Sequence, residues 1–274
     1  MKDGTFPLSG SICVVTGATS GLGRRFSLDL ARSGCLVVGL GRRASLLASL
    51  ETELRKSAQP SETFACDVSD VPAFVSRLRS VEKSYGHVDI LINCAGIPEP
   101  EGTDDLIDTE LAVEGYRKAM EVNFFAAVAG TLTVLPGMIQ ERRGIVVNVS
   151  SDSGRAPGPG EPAYCASKAA LSAFTESQAL SIDGTGVHMH VLYPGWVPTP
   201  MGTAAVEGGM PMPPRFVRRS EEQVSQLLIS QMGTSRIDID AARIARLAPV
   251  ARSLAPRAYK KGILASSGQR STQS

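Results

Sequence analysis

Apolar residues gather along this chain in short runs rich in Val, Ile and Cys, and between the runs they recur every three or four positions. The runs are "ICVVT" (12–16), "CLVVGL" (35–40), "TFAC" (63–66), "DILINCA" (89–95), "GIVVNVS" (144–150) and "VHMHVLY" (187–193). Short, nearly unbroken apolar runs predict strands buried on both faces. The longer stretches predict helices. Leu22, Phe26 and Leu30 repeat every four residues and Gly34 follows as a stop, while 220–233 opens on a Ser220/Gln223 capping-box pattern and closes on Gly233. Strand and helix in alternation predict an α/β fold: one Rossmann-like domain over 1–274, its doubly wound parallel sheet covered by helices on both faces.

One stretch raises a membrane question. "FFAAVAGTLTVL" (124–135) is strongly apolar, but Asn123 and Pro136 bracket it well short of the ~20 residues a span requires, so a buried core helix is expected. Only 198–220 and 262–274 lack a pattern and read as disordered.

Composition narrows the class. With 43% apolar and 20% charged residues, the chain can bury a full core and reads as soluble and globular. A net charge of +1 gives no overall pull toward nucleic acid or anionic membrane. The five cysteines contain no C-x-x-C, four lie in apolar runs, and there is no secretory signal; reduced thiols and a cytoplasmic location are expected. His87, His188 and His190 are scattered, and no metal site is expected.

The candidate chemistry sits where strands end, in polar or glycine-rich residues, and in open parallel sheets ligands bind at that edge. "TGATSGLG" (16–23) links the first strand to the first helix, with Gly17, Gly21 and Gly23 spaced as a variant dinucleotide fingerprint. Missing Cβ atoms let a pyrophosphate approach the positive end of the helix. An acidic residue about 20 positions on would hold a ribose 2′-hydroxyl. Here Gly41 occupies that place, followed by Arg42 and Arg43, and a guanidinium suits a 2′-phosphate; NADP(H) is preferred and NAD(H) possible. Further on, "YCASK" puts Tyr164 and Lys168 four positions apart, on one face of a helix.

Taken in order, these motifs resemble the short-chain dehydrogenases/reductases over about residues 9–200. The matches are T-G-x-x-x-G-x-G (16–23), Asp67-Val68, N-x-A-G (Asn93, Ala95, Gly96), Asn123, Ser151 ahead of the tyrosine, Y-x-x-x-K (Tyr164, Lys168) and P-G-x-x-x-T (Pro194, Gly195, Thr199). The resemblance implies a dinucleotide along Gly17, Ser20, Gly21, Leu22 and Gly23, with Asp67 and Val68 at the adenine and the Asn93–Gly96 turn beside it. It places Pro194, Gly195, Val197 and Thr199 near the carboxamide, Lys168 on the nicotinamide ribose, and Asn123 in support of a proton-returning water chain. Tyr164 would exchange a proton with the substrate oxygen, its pKa lowered by Lys168 and by an oxidised nicotinamide, and Ser151 would donate a hydrogen bond to that oxygen. A homodimer or homotetramer is implied as well.

Three departures stand out. Cys94 replaces the second Asn of the usual N-N-A-G, and Ser20 stands where many NADP-linked members carry a basic residue. The family's frequent ending, a helix followed by a D-G-G-like strand terminus, is missing from the sequence. A Met- and Pro-rich segment (about 198–220) is expected to be the substrate lid and to present an apolar surface, with Arg155 or Glu161 on the opposite rim as candidate polar contacts. The atypical C-terminal segment, about 236–274, is basic and amphipathic. Such a stretch can bind a membrane surface peripherally, but Pro249 and Pro256 divide it, so packing on the catalytic domain or a second subunit is favoured. The expected activity is interconversion of a carbonyl and a secondary alcohol on an apolar small molecule. An NAD-linked dehydrogenase working in the oxidising direction and a non-catalytic NADP-binding scaffold or sensor are the alternatives.

Overall fold

The computed structural model describes residues 6–103, 107–242 and 246–266. Seven strands form one sheet in the order β3-β2-β1-β4-β5-β6-β7. They are β1 (Ile12–Thr16), β2 (Leu36–Gly41), β3 (Glu62–Ala65), β4 (Ile90–Asn93), β5 (Gly144–Val149), β6 (Val187–Tyr193) and β7 (Asp238–Asp240). Every pairing is parallel. The order reverses between β1 and β4, and this switch point opens a crevice beyond the strand ends.

Period-two alternation divides β1 between two cores. Cys13 and Val15 join Phe26, Leu30, Leu228 and Ile239 on one face of the sheet. Val14 joins Phe74, Leu78, Val134 and Met138 on the other. Helices α1 (Gly21–Arg32), α2 (Ala44–Leu54), α3 (Val71–Tyr85), α4 (Thr109–Met120), α5 (Ala126–Gln140), α6 (Pro162–Ser181), α7 (Pro200–Glu207), α8 (Glu221–Gln231), α9 (Ala248–Leu254) and α10 (Pro256–Ser266) complete the order. The capping box at Ser220 forms as expected, with reciprocal bonds to Gln223.

Three expectations need correction. The C-terminal strand exists: β7 follows α8 and pairs with β6. Its three residues, Asp-Ile-Asp, are too short and too charged to read as a strand. Segment 198–220 is not patternless, because it holds α7 and a 3₁₀ turn (Arg215–Val217). Finally, Pro136 lies inside α5 rather than ending the apolar run. With a π-turn at Glu121–Phe125, α4 and α5 are continuous, and Thr109–Gln140 is long and apolar enough to cross a membrane by length and composition. Here its inner face belongs to the domain core: a Cβ on Gly130 would lie 3.1 Å from the Phe74 ring, and Val134, Leu135 and Met138 are buried.

Beyond β7, Arg246, Pro249 and Arg252 line a cavity shared with Ala173 and Glu176 of α6. Pro256 separates α9 from α10, and Leu247, Val250 and Leu254 are exposed. Arg246, which pairs with Asp240, ties the start of this region to the sheet. Ile244 and residues 267–274 lie outside the described residues.

Candidate active site

The β1–α1 turn has glycines where its backbone packs most closely. Gly17 has φ +68°, and a Cβ there would fall 2.9 Å from the Ala95 backbone; one on Gly23 would fall 2.3 Å from the Gly17 carbonyl oxygen. Thr16 Oγ1 accepts from the amides of Cys94 (3.0 Å) and Ala95 (3.1 Å), pinning the end of β4 to the end of β1. Ser20, the N-cap of α1, makes no bond to the helix amides, and no acidic residue occupies the first turn. A glycine-rich cradle therefore faces the start of α1 at the switch point, with no side-chain cap on its amides, which fits the pyrophosphate of a dinucleotide.

At the end of β2, a Cβ on Gly41 would lie 2.6 Å from Thr19 Cγ2, so an acidic side chain has no room. Arg43 donates to Thr19 Oγ1 (2.9 Å) and Ser20 Oγ (2.7 Å). Arg42 stays 65% exposed, 3.8 Å from Asp67. Asp70, not Asp67, caps α3, by accepting from the Ala73 amide. Burial pushes the Asp67 carboxyl up, but hydrogen bonds from Ser69 and the charge of Arg42 outweigh this and hold it below the usual carboxylate range.

At the other end, α6 brings Tyr164 and Lys168 together. Lys168 is buried, donates to the Val149 carbonyl (2.9 Å), and is lowered by burial to about 8. Its Nζ lies 5.8 Å from the centre of the Tyr164 ring. The Tyr164 phenol is pushed up to about 12 by burial; a hydrogen bond with Ser151 opposes the shift, and Glu161, Cys165 and Asp152 add to it. The expected lowering by Lys168 is therefore corrected for the protein alone. The ammonium is spent on a backbone carbonyl, and desolvation dominates the phenol.

Two asparagines do not reach the cleft. Asn123, in the π-turn, accepts from the Ile97 amide (2.8 Å) and donates to the Ile97 carbonyl (3.1 Å) and Ser167 Oγ (3.0 Å). Asn93 is buried, donates to Asn148 Oδ1 (2.8 Å) and braces β4 against β5. Asn123 thereby holds the backbone of Ile97, a cleft residue, in the supporting place expected of it, and Asn93 stands behind the Ala95–Gly96 turn with its Oδ1 unpartnered.

The remaining candidates line one cleft of about 550 Å³. Gly17, Ser20, Gly21, Leu22 and Gly23 form its floor, and Arg42, Arg43, Asp67 and Val68 form one end. Ala95 and Gly96 lie midway, with Ser151, Tyr164 and Lys168 at the opposite end and Pro194, Gly195, Val197 and Thr199 along the rim. Met201 and Met210 of segment 198–220 line the cleft too, and Glu161 lines it where it accepts from Ser153 Oγ (3.0 Å). Arg155 does not line it, because its guanidinium pairs with Asp238 and Asp240.

Sequence reasoning passed over Trp196, which lines the cleft, and Glu99. The Glu99 carboxylate accepts from the amides of Ala163 (3.1 Å) and Tyr164 (2.6 Å), holding the first turn of α6. Trp196 had a signal, its place between Gly195 and Val197. Glu99 had none, because it meets α6 only through tertiary folding.

Comparison with known proteins agrees with this geometry. Residues 11–208 match the short chain dehydrogenase family. The chain is 33% identical over 258 residues to the Bos taurus "Dehydrogenase/reductase SDR family member 7B", covering 90% of this chain and 78% of that protein. It is 36% identical over 200 residues to an uncharacterized oxidoreductase of Myxococcus xanthus, covering 73% and 76%. A metagenomic short-chain oxidoreductase solved in complex with NADP superposes with a TM-score of 0.64 at 30% identity, over 69% of this chain and 84% of that one. The crystal structure of gox2181 shares the fold, with a TM-score of 0.72 at 21% identity over 85% and 95%.

Proposed function

The chain belongs to the short-chain dehydrogenase family of oxidoreductases, and from that premise we propose that it is an NADP(H)-dependent enzyme interconverting a carbonyl and a secondary alcohol on a largely apolar substrate. The observation that carries this reading is the placement of Ser151, Tyr164 and Lys168 at one end of a cleft whose other end carries Arg42.

When bound, a nicotinamide dinucleotide supplies or accepts the hydride. Gly17, Gly21 and Gly23 would give its pyrophosphate room against the α1 amides, and Arg42 would pair with a 2′-phosphate. The metagenomic relative solved with NADP supports that preference. Ser151 donates a hydrogen bond to the carbonyl oxygen and fixes it beside the phenol. Tyr164 gives its proton to that oxygen as negative charge develops, and takes one back in the oxidising direction. Lys168, buried and pointed at the strand ends, holds ribose hydroxyls. Met201 and Met210 offer an adaptable apolar wall to the rest of the substrate.

The experiment is a substrate panel of steroids, fatty acyl ketones, quinones and small aldehydes, followed by NADPH absorbance. Consumption of NADPH with at least one carbonyl class supports the proposal. Complete inertness together with micromolar NADPH binding would favour a cofactor-binding scaffold instead.

A homo-oligomer is part of the proposal. Phe125, Leu132 and Ile139, spaced by seven on α4–α5, are 50%, 49% and 36% exposed, and this apolar stripe is a surface for a second copy.

A further inference from the structure

Ser151 does not stand on a rigid element. It follows β5 as the N-cap of a single 3₁₀ turn, Asp152–Gly154, and Arg155 closes that turn as its C-cap. Within the turn, the amides of Gly154 and Arg155 donate to the carbonyls of Ser151 and Asp152, each at 3.0 Å, and Ser151 Oγ accepts from the Ser153 amide at 3.2 Å. Four residues are too few to hold a hydroxyl in place unless something outside the turn grips them.

Besides the Ser153–Glu161 bond, two grips are visible. On one side a Cβ on Gly154 would lie 3.0 Å from the backbone of Lys168 and Ala169, so the turn lies flat against α6. On the other, the Arg155 side chain is 12% exposed and stacks on Tyr193 at the end of β6, its guanidinium 3.2 Å from the ring centre. The same guanidinium forks to Asp240 and Asp238 of β7. Asp240 is itself buried and also pairs with Arg246 at 3.1 Å. Arg219, at the exit of the lid segment, donates to the neighbouring Ala241 carbonyl at 2.6 Å. The far edge of the sheet therefore meets the Arg155 guanidinium, four residues from Ser151, while Arg219 and Arg246 attach to the adjoining β7 end through Ala241 and Asp240.

We infer that Arg155 is a positioning residue for Ser151: clamped between Tyr193, Asp238 and Asp240, it sets where the Ser151 hydroxyl stands relative to Tyr164. The planar, always-charged fork is what the site uses; a lysine or an apolar side chain cannot bridge two carboxylates and stack on a ring together. The clamp gives the unusual C-terminal strand a role in the reaction, because β7 carries both carboxylates. The inference rests on the proposed use of Ser151 to hold the substrate oxygen.

The test is a double-mutant cycle with a structural arm. Arg155→Met is made in the wild-type and Ser151→Ala backgrounds and assayed on the best carbonyl of the panel, with NADPH affinity measured alongside. Action through Ser151 means that kcat falls by roughly tenfold or more when Ser151 is present and by less than about twofold when it is absent, at unchanged NADPH affinity. Equal losses in both backgrounds overturn it. Should Arg155→Met fail to fold, Asp240→Asn carries the same cycle with a smaller Ser151-dependent loss expected. Crystal structures of wild type and variant form the second arm, in which the Ser151 hydroxyl shifts away from the Tyr164 oxygen; a hydroxyl left in place overturns the inference. That arm needs no substrate, so it separates failure of the positioning role from failure of the proposed activity.

Discussion

Lys168 lies with its Nζ 5.8 Å from the centre of the Tyr164 ring and 2.9 Å from the carbonyl oxygen of Val149. In the protein alone the pair is thus a buried cation beside a half-buried neutral phenol. A folded value of about 8, against the ordinary 10.5, means that the fold holds the charged lysine at a cost. The cost is fully present below about pH 8, fades as pH rises, and is gone above 10.5. Lys168→Met should therefore melt no lower than wild type at pH 7, with the difference between them closing as pH rises through that window. NADPH affinity should fall in the variant. In wild type it should weaken as pH passes about 8 and Lys168 loses its proton. Calorimetric melts and fluorescence titrations from pH 6 to about 10 check both statements, within the range where lysine titration is resolved.

Tyr164→Phe separates proton transfer from binding. The ring stays in its slot beside Lys168, and only the hydroxyl is lost. General acid–base catalysis contributes about 10²–10⁴-fold, so kcat should fall by that factor while NADPH affinity stays within about twofold. Single-turnover NADPH oxidation is the measurement, and near-full activity would remove Tyr164 from its assigned role.

Arg42 and Arg43 differ in what they have to spare. Arg43 already donates to Thr19 and Ser20, whereas Arg42 is 65% exposed and only loosely paired with Asp67. Arg42→Ala should weaken NADPH by roughly 10- to 100-fold, in line with a lost charged hydrogen bond of about 1.5–3 kcal/mol, and leave NADH nearly unchanged. Arg43→Ala should weaken both cofactors, because it loosens the turn beneath the pyrophosphate. Parallel titrations with NADPH and NADH decide between these patterns; tighter NADH binding by wild type would reverse the cofactor preference.

Leu132→Asp tests the stripe on α4–α5. Leu132 is 49% exposed, midway between Phe125 and Ile139, so a carboxylate there costs the monomer little and an apolar interface much. Sedimentation velocity should show the wild-type oligomer shifting to a folded monomer whose melting temperature no longer rises with protein concentration. A wild-type monomer would end this part of the proposal.

Much of this was readable before folding, and the reason lies in which signals are local. β1 is predicted to its residue bounds because four apolar residues and Thr16 run directly into a glycine turn. The positions of Tyr164 and Lys168 follow from helical spacing alone. β7 escaped because three residues with two aspartates carry no strand pattern, and their charges make sense only beside Arg155. The partners of Asn93 and Asn123 were not legible, because Asn148 and the Ile97 backbone lie 55 and 26 positions away. The direction of the Tyr164 shift also depended on folding, since burial, not the nearby cation, sets it.

Glu99 gives the last test, because it supports the reacting end from outside any motif. Its carboxylate accepts the amides of Ala163 and Tyr164, donors in the first turn of α6 that have no partner within the helix, and Thr103 donates to it as well. A negative charge there also favours the positive end of the α6 dipole. Glu99→Ala frees those amides and lets the first turn fray, which should cost about 0.5–2 kcal/mol of stability, as lost caps do. Since Tyr164 sits on that turn, kcat should drop further than the melting temperature alone implies, while NADPH affinity, set largely at α1 and β2, should hold. Glu99→Gln keeps one acceptor oxygen, so it should recover part of the lost turnover. Denaturant unfolding and steady-state kinetics on the three proteins are the check. A Glu99→Ala enzyme that is less stable but turns over at the wild-type rate would reduce this carboxylate to a helix cap with no bearing on the phenol.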